Sequence, residues 1–216
     1  MMTNEKRATV LLADDHALVA AGLAKLLEED YELLGTSGDG RSLVAAVFEH
    51  RPDIVVMDIS MPQLNGLEAA RQIKSVAGDT KIIFVTVHAD LAYVAAAFRA
   101  GGSGYLLKGS AAGELRKAMD EVLAGGWYLT PLIEGASLQD LMKTPEQKHF
   151  LTGRQREVLQ LVAEGHSAKT IGNVLHISAK TVEFHKAEIM KRLRLHSVAA
   201  LTRYAIDHGI SAQSSN

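Results

Sequence analysis

The sequence predicts two folded parts: an α/β unit with a five-stranded parallel sheet wound on both faces, then a small all-α unit of four helices. Five short β-branched runs alternate strictly with helix-like segments between residues 8 and 124, the pattern of a parallel sheet covered by helices. At 216 residues the chain has room for two domains of ordinary size, each with its own core. Charge divides the same way. Residues 1–147 carry 13 Lys+Arg against 20 Asp+Glu and residues 148–216 carry 10 against 5, so a total of −2 hides parts of −7 and +5.

The expected strands are "ATVLLA", "YELLGTS", "DIVVMD", "KIIFVTV" and "SGYLLK", separated by helical stretches such as "ALVAAGLAKLLEE" and "GLEAARQIKSV". After Leu123 the pattern breaks at "AGGWYLTP", and residues 125–149 read as a linker with a weak helical stretch around "ASLQDLMK". The predicted division is therefore 1–124, a linker over 125–149, and 150–216. Four helices are expected at about 152–164, 167–175, 179–193 and 197–208, with Ser167 and Ser178 as caps.

With 47% apolar and 22% charged residues and no long apolar run, the composition is that of a soluble globular protein without a membrane span. The opening "MMTNEKRATVLLADD" meets two aspartates before a signal-peptide core is complete, which leads to a cytoplasmic expectation. Zero cysteines exclude disulfides, thiolate catalysis and cysteine-ligated zinc. Only the C-terminal part has a charge balance suited to a polyanion.

An open parallel sheet collects functional groups at the carboxyl ends of its strands. Asp14 and Asp15 end the first strand and Asp58 the third, so the fold brings three carboxylates to one edge. They repel one another unless protonated or joined by a cation. A hard divalent ion such as Mg²⁺, which favours one or two carboxylates with waters and a phosphate, answers that need. An aspartate beside such an ion, facing Lys108, has the surroundings of a nucleophile toward phosphorus, with metal and lysine offsetting charge on the transferring oxygens. Thr86 ends the fourth strand with a hydroxyl able to donate to a phosphoryl oxygen, and Tyr105 lies three residues before Lys108. Singly, each has a plainer reading as cap, strand former or core residue. Their common edge is what those readings leave unexplained. His16 reads as a first-turn helix residue, and no histidine pair has metal-site spacing.

The residues "DD", "DISMP", "VTVHAD" and "GYLLKGS" resemble, in order and spacing, the flavodoxin-like receiver domain of two-component response regulators. The resemblance implies phosphotransfer from a sensor histidine kinase to Asp58. Mg²⁺ would be held by Asp15, Asp58 and the Ser60 carbonyl, and by Asp14 through water. Thr86 and Tyr105 would form a switch pair, with Lys108 as the conserved-type lysine. "KGS" departs from the family's Lys-Pro, and His88 and Ser60 would flank the phosphoryl group, where they are expected to affect how fast water removes it.

In the C-terminal part, two short helices joined by a tight "HIS" turn form a helix-turn-helix pattern. Val182, Ile189 and Leu193 share one face of the third helix, while Lys180, Phe184, Ala187 and Lys191 recur on another. That second face suits the major groove, with Lys180 and Lys191 on phosphates and Phe184, Ala187 and Glu183 toward base edges. Thr181, Lys186 and Lys169 are further phosphate candidates. The plainer reading is a solvated charged face. "LTGRQREVLQLVAEG", "SAKTIGNVLHIS" and "KTVEFHKAEIMKRLRLHS" resemble the LuxR-type DNA-binding domain, and the chain as a whole resembles a NarL/FixJ-class response regulator. Gly153, Gln155 and Gly172 depart from that family's usual Pro, Glu and Ala, and the two glycines are expected to loosen their helices by up to about 1 kcal/mol each. Val198, Leu201 and Ala205 of the last helix have dimer-like spacing; the plainer reading is that they cover the core, while the family resemblance implies self-association there on DNA.

The resemblance implies double-stranded promoter DNA, a sensor kinase and a second copy of the chain as partners, with RNA polymerase a further candidate. It implies a transcriptional switch rather than an enzyme. Two rivals stand beside it. One is an aspartyl-phosphate phosphatase or phosphotransferase, which in the best-known case has a second carboxylate where this chain has Ser60. The other is a DNA-binding regulator indifferent to phosphate.

Overall fold

The computed structural model describes residues 7–133 and 151–211. They form two compact units, one α/β and one helical.

The α/β unit runs β1 (Thr9–Ala13), α1 (Ala17–Leu27), β2 (Glu32–Ser37), α2 (Gly40–His50), β3 (Ile54–Met57), α3 (Gly66–Val76), β4 (Lys81–Thr86), α4 (Leu91–Arg99), β5 (Gly104–Leu107), α5 (Ala111–Leu123) and β6 (Tyr128–Leu129). All pairings are parallel, in the order β2-β1-β3-β4-β5-β6. The chain leaves β1 for β2 on one side and returns to β3 on the other, so the strand order reverses between β1 and β3.

The sheet thus has six strands, not five. Tyr128 N–H donates to the Ser103 carbonyl and Thr130 N–H to the Tyr105 carbonyl. The Tyr128 and Thr130 hydroxyls both reach Glu114 of α5, at 3.0 and 3.1 Å. Burial first, then the Glu114 carboxylate, pushes the Tyr128 phenol up to about 12. Two residues are too few for any alternation to show, so this segment read as linker. The expected helix around "ASLQDLMK" lies outside the described residues.

Alternation sorts the strand residues between two layers. Val10, Leu12, Ile54, Val56, Ile83, Val85 and Leu106 pack with Leu23 and Leu27 of α1 and Leu115, Met119 and Val122 of α5. Leu11, Val55, Ile82, Phe84 and Tyr105 take the other face and are equally buried. Phase then fixes the site: Tyr105 shares a face with Phe84 and, at the end of β4, with Thr86.

The helical unit contains α6 (Gly153–Ala163), α7 (Ala168–Leu175), α8 (Ala179–Leu193) and α9 (Val198–Asp207). Ser167, Ser178 and Ser197 each cap a helix by accepting a backbone N–H. Thr152 and Gln155 form a reciprocal capping box at the start of α6. Gln155 therefore serves as well as Glu, and Gly153 sits at the first helical position rather than in the interior. Gly172 has a packing reason as well: a Cβ there would lie 2.7 Å from the Ile177 carbonyl oxygen, so its absence lets the α7–α8 turn fold back on α7.

Two substitutions test this framework by chemical denaturation. Gly66→Ala would place a Cβ 2.1 Å from the Asp58 carbonyl oxygen, and a loss of more than about 2 kcal/mol is expected. Thr152→Ala removes one capping box, at a cost of about 1 kcal/mol confined to the helical unit.

Candidate functional site

Each ladder continues one residue past its strand. Asp58 N–H donates to the Ala13 carbonyl at 2.9 Å and Asp14 N–H to the Ser37 carbonyl at 3.1 Å, which levels the two carboxylates at the switch point. Lys108 N–H donates to the Thr86 carbonyl at 2.8 Å, setting the lysine one step along the same edge.

Asp14 and Asp58 are only 4% and 2% exposed. Lys108 Nζ lies 2.7 Å from Asp14 Oδ2 and 2.8 Å from Asp58 Oδ2. The cation expected to relieve repulsion among the carboxylates is thus, in part, this ammonium. Burial alone would lower the lysine's pKa, but the ion pairs outweigh it and hold Lys108 above its ordinary value, fully charged. The other oxygen of Asp58, Oδ1, accepts the Ile59 N–H at 2.6 Å, so the carboxylate is fixed at both ends.

Asp15 is exposed at the mouth of the cluster. His16 is the residue that sequence reasoning underrated. It is the N-cap of α1 without a side-chain cap bond, and its Nδ1 stands 2.7 Å from Asp15 Oδ1 and 3.3 Å from Asp14 Oδ1. Asp14, Asp15, His16 and Asp58 each bring one ligand atom within 4.8 Å of the rest. Three of those donors are hard carboxylate oxygens, a set that fits Mg²⁺. Ser60 follows in the next turn, half-buried.

Thr86 is fully buried and its Oγ1 faces the His88 N–H at 3.5 Å. Tyr105 is equally buried, and its hydroxyl donates to the His88 carbonyl at 2.8 Å. Burial, then Tyr93, Asp58 and Asp90, raise the Tyr105 phenol pKa, so it is a proton donor throughout the physiological range. His88 is pushed down by burial, with Asp58 opposing and Lys108 adding to the shift, and is a neutral imidazole. Its ring stacks on Tyr93, a residue the sequence did not single out because a helical tyrosine carries no local signal of its partner.

On α8 the expected division of faces holds. Val182 and Ile189 are buried and Leu193 is half-buried, while Lys180, Glu183, Phe184, Ala187 and Lys191 are exposed, Phe184 by 63%. Lys169 is exposed on α7. Two candidates are less open: Lys186 pairs with Glu183 at 3.2 Å, and the Thr181 hydroxyl shares a hydrogen bond with Ser178 at 2.8 Å. Exposed Arg192 and Arg194 extend the basic surface beyond the residues named from sequence.

Of the two readings of the α9 trio, core cover holds for two residues and self-association has support only at the third. Leu201 and Ala205 are fully buried in the unit's own core beside Val158, Ile171 and Ile189, and only Val198, 48% exposed, remains outside. The outer face of α9 instead presents Ala199, Thr202, Arg203, Ile206 and Asp207 around a shallow groove of about 620 Å³. Spacing alone does not distinguish the inner face of a helix from the outer.

Residues 10–120 match the family described as response regulator receiver domain, and residues 149–205 match bacterial regulatory proteins of the luxR family. The oxygen regulatory protein NreC of Staphylococcus carnosus is 35% identical over 91% of this chain and 96% of its own. The transcriptional regulatory protein DegU of Brevibacillus brevis is 32% identical over 95% and 96%. Among solved structures, the RcsB response regulator of Salmonella typhimurium matches with a TM-score of 0.63 at 26% identity over 94% of this chain and 98% of that one. An RcsB–DNA complex matches with a TM-score of 0.57 at the same identity, over 94% and 99%. With a receiver sheet, an acid–lysine pocket at its switch point and a LuxR-type helical unit, the chain belongs to the NarL/FixJ family of two-component response regulators.

Proposed function

We propose that Asp58 is the phosphoacceptor of a transcriptional switch whose output is the α8 face. The observation that carries this reading is the clamped Asp58 carboxylate, held between the Ile59 N–H and the Lys108 ammonium with Asp14 and Asp15 beside it.

In phosphotransfer an Asp58 oxygen bonds to phosphorus as the P–N bond to the kinase's phosphohistidine breaks, and the imidazole leaves. Lys108, already charged, then meets a transferring oxygen. Thr86 turns its hydroxyl proton to another, and Tyr105 keeps its inward position through His88. Mg²⁺, held by Asp15 and Asp58 with the Ser60 carbonyl, and by Asp14 through water, would neutralise charge on the phosphoryl oxygens. The new group adds about −1.5 to −2 charges, which biases the receiver toward one of two conformations.

The output is binding of promoter DNA, with Lys180, Lys191 and Lys169 on phosphates and Phe184, Ala187 and Glu183 at base edges. Thr181 and Lys186 serve as phosphate contacts only after exchanging their present partners. Two copies on paired half-sites follow the usual two-fold logic. We place the receiver at residues 1–124, the linker at 125–149 with its first residues adding β6 to the receiver sheet, and the DNA-binding domain at 150–216, in a protein that works in the cytoplasm. Among the described residues no helix is long and apolar enough to cross a membrane.

Intact mass after incubation with acetyl phosphate and Mg²⁺ tests the acceptor. A phosphate-sized gain is expected in the wild type and not in Asp58→Asn. No gain under conditions that label a control receiver would sink the mechanism and favour a phosphate-independent regulator. For the output, fluorescence anisotropy with a promoter duplex should show Lys180→Ala and Lys191→Ala each reducing the slope of log affinity against log salt by about 1. Phe184→Ala should instead weaken specific binding more than non-specific binding.

A further inference from the structure

Helix α8 carries one exposed acid on a face otherwise marked by Lys180, Lys191 and Arg192. Glu183 lies beside Phe184 on that face, whereas the helix's other acid, Glu188, is half-buried. The two Glu183 oxygens accept from the Lys186 ammonium at 3.3 and 3.2 Å. The pair is unequal in exposure, 55% for the Glu183 side chain and 26% for that of Lys186. An ion pair this open to solvent is weak and exchanges partners at small cost. The surface read as meeting DNA thus holds a carboxylate whose cation is itself suited to phosphate.

We propose that Glu183 selects cytosine in each half-site, and that Lys186 engages a DNA phosphate only where that base has taken over the carboxylate. This rests on the reading of the α8 face as the DNA surface. In the major groove only cytosine N4 and adenine N6 offer N–H donors, and adenine sets its N7 acceptor next to the amino group, where it repels a carboxylate. Guanine and thymine present O6 and O4 instead, so a bare carboxylate facing them is repelled by base and backbone alike. On such sequences Glu183 keeps Lys186, and a lysine already neutralised by Glu183 displaces no counterion from a phosphate. Over cytosine the N4 amino group replaces the ammonium and Lys186 is released to the backbone. Base identity becomes a count of phosphate contacts, which salt dependence reads.

The test uses full-length protein, with and without acetyl phosphate and Mg²⁺, to select duplexes from a random pool. Anisotropy over a salt series then compares the selected duplex with versions carrying thymine or adenine in place of the cytosine. Wild type should select cytosine at one position per half-site. Replacing it in one half-site should weaken binding about 10-fold and make the slope of log affinity against log salt shallower by about 1. Glu183→Gln should move the preference to adenine, whose N6 and N7 pair with an amide, and Glu183→Ala should abolish it. In both variants Lys186 is free on every sequence, so the slope no longer depends on that base. Lys186→Met should keep the cytosine preference, with the shallower slope on every duplex. Thermal unfolding identifies any misfolded variant, and Glu183→Gln decides the matter if Glu183→Ala fails to fold. An unchanged selected base in Glu183→Gln and Glu183→Ala, or a wild-type slope indifferent to that base, overturns the inference while leaving α8 as the DNA surface. A pool from which neither state of the wild type enriches any sequence overturns both.

Discussion

One ammonium between two buried carboxylates makes the rest of the pocket tenable. Asp14 and Asp58 are brought side by side by the sheet's own hydrogen bonds, since each aspartate N–H extends a ladder. Two buried like charges at that spacing would repel and splay apart without a cation between them. Lys108, carried in on the neighbouring ladder through the Thr86 carbonyl, bridges both. The pocket is thereby charged, compact and oriented in a single arrangement. In the proposed phosphotransfer, the lysine would already be in position, so little reorganisation would be left for the moment of transfer.

The same economy governs the exposed face of α8. Helix α8 buries Val182 and Ile189 and leaves Lys180, Phe184, Ala187 and Lys191 outside. A glycine at 172 lets the preceding turn close tightly, which sets the angle at which α8 leaves α7. That exposed face is built on the packing behind it, and its residues take no part in the core.

Much of this was legible in the sequence because each signal was periodic or punctuated. Strand runs ending in Asp14, Asp58, Thr86 and Lys108 gave the sheet and its functional edge, and serines ahead of apolar periodicity gave the helix starts. What escaped was short or lacked a periodic signature. Strand β6 is too brief to alternate, and its bonds go to β5 and to Glu114 of α5. His16 and Tyr93 are ordinary helix-end residues until the fold sets a partner against them. Leu201 and Ala205 failed in the opposite way: their spacing was regular, but regularity does not say which side of a helix faces the core.

Strand β6 also gives the exit of the chain a mechanical character. A load applied at Ile133 must first peel two ladder bonds from the β5 edge and break the Glu114 clip. One of those bonds ends on the carbonyl of Tyr105, whose hydroxyl reaches His88. The last strand and the loop after β4 thus share Tyr105, which joins the sheet's edge to the backbone of His88.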